Sequence, residues 1–445
     1  MFKRKAYDEL LRLKNLYKGT RAFMLEGARR VGKSTIAEEF AKNEYKSYIL
    51  IDFANVGKRI KGLFEYISDL DYFFLQLQTI LDVKLYKRES VIIFDEVQLF
   101  PAARQAIKYL VKDGRYDYIE TGSLISIKKN IQGILIPSEE VKIQVNPMDY
   151  EEFCHATGKE YSLLEELYHS KYPAGEAVNR KLVRDFRLYI AVGGMPQVVD
   201  AYIKNNNFDD VEAQKRSIIA LYKEDLKRID GSGRLGHIFE SIPSQLALKR
   251  KAFSIYSATK SNETEKDSER ISDLIDSKIV NPCYLVRDPS VSLKLTADYS
   301  SYKLYMADTG LFISMLLESK KSNYKDIYQK LLSDKLELNL GYLYENIVSQ
   351  MLIANGEELY YYTWKKKDST HDYEIDFLTT DGNKVVPFEV KSGKTSSHQS
   401  IDAFAVKYSS ICGHRYLLSN KDKAKDRDLI NVPYYLFDFV LKSLD

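Results

Sequence analysis

The chain has 445 residues, more than one hydrophobic core normally serves, so its length predicts several domains. Hydrophobic residues make up 44% and charged residues 29%, proportions that are typical of a folded protein and exclude a disordered or fibrous chain. The formal net charge of +3 is nearly balanced, so any nucleic-acid surface has to be a local patch.

Cysteine usage and the N-terminus indicate a reducing compartment. Cys154, Cys283 and Cys412 are scattered and odd in number, which fits neither a disulfide framework nor a metal cluster. The N-terminal MFKRKAYDELLRLK lacks the apolar core of a signal peptide, and no apolar run approaches the roughly 18 residues that span a bilayer. We therefore expect a cytoplasmic protein with no membrane partner.

The first part of the chain, residues 21–149, alternates between two patterns. Continuous apolar runs such as YILIDF and SVIIFDE alternate with helical patterns such as KSTIAEEFAK and AARQAIKYLVK. Buried strands separated by helices are typical of a parallel sheet that is covered on both faces. The sequence therefore predicts an α/β domain here.

A phosphate-binding loop opens this domain. The segment GARRVGKS, residues 27–34, fits the pattern G-x-x-x-x-G-K-[ST] between a strand-like run and a helical one. Its glycines let backbone N–H groups curl around phosphates, Lys33 can reach the β- and γ-phosphates of ATP, and the Ser34 hydroxyl can ligate Mg²⁺. The residues expected to bind ATP are Gly27, Arg30, Val31, Gly32, Lys33, Ser34, Thr35 and Thr121.

Two carboxylates follow the apolar run VIIF. Asp95 and Glu96 lie where a buried strand should end, which is where open α/β sheets place their ligands. We expect Asp95 to serve the magnesium ion and Glu96 to orient or deprotonate the attacking water; the alternative is that both merely begin an exposed helix. At the next strand end, Thr121 and Ser123 either contact the γ-phosphate or cap a turn.

The middle of the chain is mostly helical in pattern. Residues 150–230 are interrupted by the turn VGGMP, and residues 231–300 fit a winged helix with CYLVRD and SLKLTAD as its wing. The helix DSERISDLIDSKIV carries more acidic than basic side chains, whereas LALKRKAF is the more basic element. Residues 231–300 therefore either bind DNA or act as a spacer or protein contact.

The stretch EIDFLTTDGNKVVPFEVKSGK predicts a hairpin near the C-terminus. Because alternate strand residues share a face, Asp376 would lie on the same side as Glu389 and Lys391, opposite an apolar face. This order and spacing resemble the D-x(n)-E-x-K signature of the PD-(D/E)XK phosphodiesterases, with Ile375 where the signature has proline. Carboxylates suit Mg²⁺ and the lysine can stabilise a developing charge, although hairpins with charged outer faces are common.

An acidic helix residue precedes this hairpin. Glu345, in GYLYENIVSQ, occupies the place where such nucleases often carry a further metal ligand. We therefore expect Glu389 and Lys391 to act in catalysis and a metal to be held by Glu345, Asp376 and Glu389. The fold can also persist after its chemistry is lost.

Several of these motifs together resemble one family. The loop GARRVGKS, the segments FDEVQ, TGS and VNPMDYEEF, and the turn GGMP are similar to a prokaryotic family of AAA-type, AAA+ or STAND-like, P-loop ATPases, over essentially the whole chain. That resemblance implies a winged-helix segment and a C-terminal domain of restriction-nuclease-like fold. It leaves the arginine finger open among Arg29, Arg30, Arg180, Arg184 and Arg187.

The sequence thus predicts an α/β protein in four parts. These are an AAA-type P-loop ATPase domain (1–160), a helical lid or linker (161–230), a winged-helix-like domain (231–300) and a PD-(D/E)XK nuclease-like domain (301–445). The leading hypothesis is an ATP- and Mg²⁺-dependent ATPase coupled to a metal-dependent nuclease acting on DNA or RNA. The alternative is an ATP-gated, STAND-like switch whose C-terminal domain binds a protein or DNA partner without cleavage, and a third is a P-loop protein with a structural C-terminal half. A homo-oligomer is a further candidate assembly.

Overall fold

A computed structural model describes residues 2–122, 138–290, 292–318, 324–333, 341–366, 371–392 and 398–444. The chain divides into two compact units, Met1–Asn146 with Asp276–Lys278, and Pro147–Ile275 with Ile279–Asp445. The division into four parts expected from sequence is finer than this. Within the described residues, no helix is long and apolar enough to cross a membrane.

The first unit is an α/β domain. Its strands are β1 Ala22–Glu26, β2 Ser47–Asp52, β3 Ser90–Asp95, β4 Asp117–Gly122 and β5 Glu140–Gln144. Its helices are α1 Lys5–Tyr17, α2 Lys33–Glu44, α3 Lys58–Leu63, α4 Leu70–Leu81 and α5 Pro101–Asp113. All paired strands run parallel, in the order β2-β3-β4-β1-β5, which confirms the predicted parallel sheet.

The sheet order sets the position of the polar strand ends. β3 and β4 are buried along their whole length, as the apolar runs SVIIF and DYI require of central strands with helices on both faces. Because β4 lies between β1 and β3, the loop after β1 and the carboxylates after β3 flank the end of β4. Parallel strands thus bring three separate sequence segments to one edge.

The second unit begins with helices, which confirms the helical middle predicted from sequence. These are α6 Tyr150–Ala156, α7 Ser162–His169, α8 Glu176–Val192, α9 Pro196–Asn205, α10 Phe208–Ile229, α11 Arg234–Ala247, α12 Ile255–Thr259 and α13 Glu265–Asp276. Further along the chain follow α14 Thr309–Glu318, α15 Tyr324–Leu332, α16 Gly341–Ala354, α17 Gln399–Lys407 and α18 Phe437–Lys442.

Close packing explains the GGMP turn between α8 and α9. A Cβ on Gly194 would overlap the backbone of Met148, and one on Gly193 would lie 2.5 Å from Asp308 Oδ1. The N–H of Gly194 donates to Asp308 Oδ2 at 2.6 Å, and the N–H of Met148 donates to the Gly194 carbonyl at 2.6 Å. The motifs VNPMDYEEF and GGMP are therefore two sides of one contact.

A mixed sheet of eight strands forms the rest of the second unit. Its strands are β6 Val280–Val286, β7 Ala297–Met306, β8 Leu359–Lys365, β9 Asp372–Asp381, β10 Lys384–Val390, β11 Arg415–Ser419, β12 Ala424–Asp426 and β13 Leu429–Pro433. Their order is β12-β13-β11-β10-β9-β8-β6-β7. The predicted hairpin is present: β9 and β10 pair antiparallel around Gly382 and Asn383, with Lys384 opposite Asp381.

The strands expected to form a wing belong to this sheet. β6 pairs with β8 through Cys283 and Leu359, and β7 pairs with β6. The predicted strand over 292–298 is mostly a turn, since β7 begins at Ala297 and continues past the boundary expected near residue 300. The buried end of β7, residues 304–306, provides the apolar surface that holds it in the sheet.

Candidate nucleotide and charged-cluster sites

The phosphate-binding loop joins β1 to α2 through strained backbone. A Cβ at Gly27 would overlap the Val145 carbonyl oxygen, so only glycine fits there. Gly32, with φ 98°, and Arg30, with φ 72°, adopt the left-handed conformation that favours glycine. The loop is thus curled back on itself immediately before the first turn of α2.

Arg4 anchors this loop through hydrogen bonds to backbone carbonyl groups. Its side chain is buried, and it donates from Nη1 to the Val31 carbonyl at 2.8 Å and from Nη2 to the Asn146 carbonyl at 2.7 Å. The sequence analysis did not single out Arg4, because a basic residue in MFKRKAY gives no sign of such a contact. Arg4 therefore positions the loop without being part of its motif.

Lys33 lies inside the loop. Its ammonium donates to the Gly27 carbonyl at 3.1 Å and to the Ala28 carbonyl at 2.9 Å. Burial lowers the pKa of Lys33 to about 8, while the nearby Glu96 and Asp95 carboxylates oppose that shift. A phosphate that approaches this ammonium would favour its charged form and raise the pKa of Lys33 again.

Ser34, Thr121 and Asp95 meet at one oxygen. The Ser34 hydroxyl donates to Asp95 Oδ1 at 2.6 Å, and the Thr121 hydroxyl donates to the same atom. The N–H of Glu96 donates to Thr121 Oγ1 at 3.3 Å. Residues from the loop, from the end of β3 and from the end of β4 are therefore brought together.

Glu96 follows Asp95 in a left-handed conformation, with φ 53°. Its side chain is half-buried and accepts a hydrogen bond from Gln98 Nε2. A left-handed non-glycine residue costs roughly 1–2 kcal/mol and is concentrated at functional sites. This conformation turns Glu96 away from the strand direction that ends at Asp95.

Other expected residues lie around this centre or apart from it. Val31 is buried, and Arg30 and Thr35 are exposed at the loop surface. The charge of Arg29 contributes to lowering the pKa of Lys33, after burial. Ser123 lies outside the described residues. The three arginines of α8 belong to the second unit.

The C-terminal hairpin carries the second set of predicted residues. Asp376 and Glu389 lie next to Phe377 and Phe388, which face each other at one end of the hairpin. Asp376 accepts a hydrogen bond from the N–H of Val390 at 2.8 Å. Glu389 is 6% exposed and forms an ion pair with Lys391.

These carboxylates form a crowded cluster. Burial, together with the charges of Glu345 and Glu374, raises the pKa of Asp376 well above its usual range. Burial also raises the pKa of Glu389, and Lys391 partly offsets this effect. Glu345, on α16, also acts on Asp376, and it accepts a hydrogen bond from the Tyr305 hydroxyl at 3.1 Å.

A lysine that sequence analysis missed lies in this cluster. Lys303 on β7 is 6% exposed, and its ammonium lies 2.6 Å from Glu374 Oε1. Burial alone would lower the pKa of Lys303, but Glu374, Glu345 and Asp376 outweigh burial and raise it. Lys303 falls in the segment 301–445 that was assigned to the nuclease-like domain, but no local pattern links it to the hairpin 71 positions away.

The predicted metal ligands are not gathered into one three-residue group in the described residues. In the part of the chain that the structure describes, no three His, Cys, Asp or Glu side chains are placed to hold one metal ion. The ligand set expected from Glu345, Asp376 and Glu389 is therefore not gathered by these side-chain positions. One buried oxygen, Glu389 Oε2, has no hydrogen-bond partner among the described residues.

The helix at the recognition position of the predicted winged helix uses its arginine within the protein. Arg270 on α13 donates from Nε to Asp230 Oδ2 at 3.1 Å and from Nη1 to Asp267 Oδ1 at 3.0 Å. Lys251, from the more basic segment, forms an ion pair with Asp372 on β9. These charges therefore serve internal contacts in this structure.

Comparison with known proteins identifies one segment. Residues 19–154 match the family model of an AAA domain. Residues 183–322 and 340–437 match two domains of unknown function, DUF8612 and DUF4143. No curated protein matches the chain.

Similar solved structures share little sequence with the chain. The Walker-type ATPase PABY2304 of Pyrococcus abyssi is 17% identical, with 71% of this chain and 96% of that one covered, at a TM-score of 0.43. The STAND protein PH0952 of Pyrococcus horikoshii is 12% identical, with 80% and 49% covered, at a TM-score of 0.27. AMPPCP-bound DnaA of Aquifex aeolicus is 11% identical, with 76% and 96% covered, at a TM-score of 0.28.

These structural scores are too low to transfer a function, so the assignment depends on the family match and on the loop geometry. The match includes the whole phosphate-binding loop, Asp95, Glu96 and Thr121. The chain contains an AAA-type ATPase domain.

Proposed function

We propose that the chain binds and hydrolyses ATP with Mg²⁺ at the phosphate-binding loop and that this cycle controls a metal-dependent nuclease centre in the second unit. The observation that carries the ATPase part is the convergence of the Ser34 and Thr121 hydroxyls on Asp95 Oδ1. This convergence unites the strand ends and the loop that the chemistry requires.

Each residue of the loop has a role in this proposal. Backbone N–H groups of residues 27–34 bind the phosphates, and Lys33 pairs with the β- and γ-phosphates. The hydroxyl of Ser34 and the carboxylate of Asp95 are hard oxygen donors that fit Mg²⁺. When bound, Mg²⁺ neutralises charge on the phosphate oxygens.

Glu96 and Thr121 act on the water and the γ-phosphate. The half-buried Glu96 carboxylate orients the attacking water and accepts its proton. Thr121, which already receives the N–H of Glu96, links the position of that base to the end of β4. A change at the γ-phosphate is thereby transmitted to both carboxylates.

The second centre has the composition of a phosphodiesterase site. Mg²⁺ is commonly held by one or two carboxylates and by substrate phosphates, so Asp376 and Glu389 suffice as protein ligands. The unpartnered Glu389 Oε2 and the mutual repulsion around Asp376 both favour a cation there. In this proposal Lys391 stabilises the charge that develops on the attacked phosphate, and Glu345 supports the site from α16.

A cleavage assay tests both parts. Supercoiled, linear and single-stranded DNA and RNA are incubated with Mg²⁺ or Mn²⁺, with and without ATP. Lys391→Ala should abolish cleavage, while Lys384→Ala, at the other end of the same strand, should not. Lys33→Ala should abolish ATP hydrolysis, whereas Lys42→Ala, at the exposed end of α2, should retain it.

A second candidate function follows from the ion pairs of the cluster. Lys303 pairs with Glu374 and Lys391 pairs with Glu389, so the chain supplies cations of its own. This favours an ATP-gated, STAND-like switch that binds a partner without cutting it. ATP hydrolysis with no cleavage of any substrate would support that function and contradict the nuclease.

A further inference from the structure

A polar cavity of about 780 Å³ lies in the second unit beside α8. We call it the arginine cavity, since Arg180, Arg184 and Arg187 line it. Of the described residues in its lining, Glu176 alone is acidic. Three guanidinium groups against one carboxylate give the cavity a positive charge that the nearly neutral chain does not show overall.

The three arginines form a row along one face of α8. Their spacing of four and then three residues keeps them on neighbouring turns. With a rise of about 1.5 Å per residue, the row extends for about 10 Å. A row of that length suits an extended ligand with several negative charges better than a single anion.

Other described residues engage Arg180 and Arg184 only weakly. Arg184 makes no hydrogen bond or ion pair with any other described residue, and Arg180 pairs with the exposed Glu176 one turn away. Exposed pairs of this kind contribute roughly 0–1 kcal/mol and are easily exchanged. Arginine forks match the oxygens of phosphate groups, so the free guanidinium favours a phosphate ligand.

The floor of the cavity leads to the hairpin centre. Arg187, 5% exposed, donates from Nε to the Tyr344 hydroxyl at 3.3 Å, and Asn420 Nδ2 donates to the same oxygen at 3.0 Å. Tyr344 precedes Glu345 on α16 and stacks on Tyr434, with ring centroids 4.6 Å apart.

The other side of this tyrosine pair contacts the predicted catalytic segment. The Tyr434 hydroxyl donates to the Lys391 carbonyl at 3.1 Å. The arginine cavity is thus joined to both Glu345 and Lys391 through two stacked rings. Both rings are buried, so they fix the position of the cavity relative to the hairpin centre and leave ligand contact to the arginines.

We propose that the arginine cavity binds consecutive phosphates of a nucleic-acid strand and leads that strand to the hairpin centre. The proposal builds on the proposed nuclease function, since it names the substrate contacts of that centre. Arg180 and Arg184 hold the backbone, and Arg187 both lines the cavity and positions Tyr344. The ligand chemistry, a phosphate ester, could also come from a free nucleotide.

Binding measured without cleavage tests this proposal. The full chain carrying Lys33→Ala, which removes nucleotide binding at the loop, is titrated into a fluorescent single-stranded oligonucleotide in EDTA. Arg180→Ala and Arg184→Ala should each weaken binding about threefold to tenfold and reduce the slope of log K against log salt by about 0.7. Lys181→Ala, an exposed charge on α8 outside the cavity lining, should leave the salt slope unchanged.

Each outcome decides the proposal. Failure of the strand to bind, equal effects of Lys181→Ala and Arg184→Ala, or tighter binding of ATP or AMP than of the strand would overturn it. Loss of strand binding in the arginine variants, with no cleavage by the wild type in Mg²⁺, would uphold it and sink the nuclease alone. Cleavage that is unaffected in both arginine variants would uphold the nuclease and overturn the proposal for the arginine cavity.

Discussion

Replacing Arg4 by alanine should destabilise the first unit by loosening the phosphate-binding loop. The side chain makes two charge-assisted hydrogen bonds, to the carbonyls of Val31 and Asn146. Alanine removes both hydrogen bonds at once and introduces no new polar group. The effect therefore measures what the loop gains from Arg4.

The two bonds contribute unequally. A hydrogen bond to a charged group contributes about 1.5–3 kcal/mol, and a buried acceptor left without a partner costs about 1–3 kcal/mol. The bond to Val31 is buried and counts in full, whereas the bond to Asn146 is only partly buried, so water can replace it. We expect a loss of about 2–4 kcal/mol, which lowers the melting temperature of a unit of this size by roughly 10 °C.

Differential scanning fluorimetry with and without ATP checks this expectation. Lys3→Ala, an exposed neighbour of Arg4, is the matched control, and Arg4→Lys should lie between it and Arg4→Ala because one ammonium cannot serve both carbonyls well. The ATP-dependent rise in melting temperature should shrink in Arg4→Ala. If Arg4→Ala melts within about 1–2 °C of Lys3→Ala, below the effect expected of a lost buried bond, the reasoning is refuted.

Three further predictions concern other parts of the chain. ATP binding near pH 8 should take up about half a proton in wild type, because the pKa of Lys33 is about 8 before phosphate raises it. Calorimetry in buffers of different ionisation enthalpy measures this uptake, which should be absent in Lys33→Ala. Asp376→Asn should raise the melting temperature at pH 8 more than at pH 5, by the equivalent of roughly 1–2 kcal/mol, while abolishing cleavage. A carboxyl whose pKa is raised by folding contributes stability below its unfolded pKa and loses it as pH rises through the folded pKa, so an equal shift at both pH values would contradict the raised pKa of Asp376. Gly193→Ala should cost about 2–4 kcal/mol, since φ is 87° and the new Cβ meets Asp308, whereas Gly175→Ala, with φ 83° and open space, should cost only about 1 kcal/mol, as urea unfolding followed by fluorescence can show.

Local sequence patterns predicted the parts of the fold in which structure is local. The segment GARRVGKS predicted the loop between β1 and α2, and the apolar runs predicted the five parallel strands. The hairpin around Gly382 followed from the period of two on both of its strands. In each case the residues that determine the structure are neighbours in the sequence, so a single sequence is enough to predict the element.

Long-range contacts could not be predicted in this way. Arg4 bonds a residue 27 positions away and another 142 positions away, and nothing in its own segment specifies either partner. Lys303 reaches Glu374 across 71 positions. The strand pair β6–β7 has the pattern of any short antiparallel pair, and only its bonding to β8 shows that it belongs to the C-terminal sheet.

That shared sheet bears on how the chain can be divided and inherited. β6 and β7 fall in the matched segment 183–322, whereas β8, β9 and β10 fall in the segment 340–437. A fragment that starts at residue 340 would expose the hydrogen-bonding edge of β8, and exposed strand edges promote aggregation. The fragment would also lack Lys303, the ion-pair partner of Glu374. The two segments therefore form one folding unit. Recombination between them, or separate expression of either one, would divide the shared sheet and should yield insoluble halves.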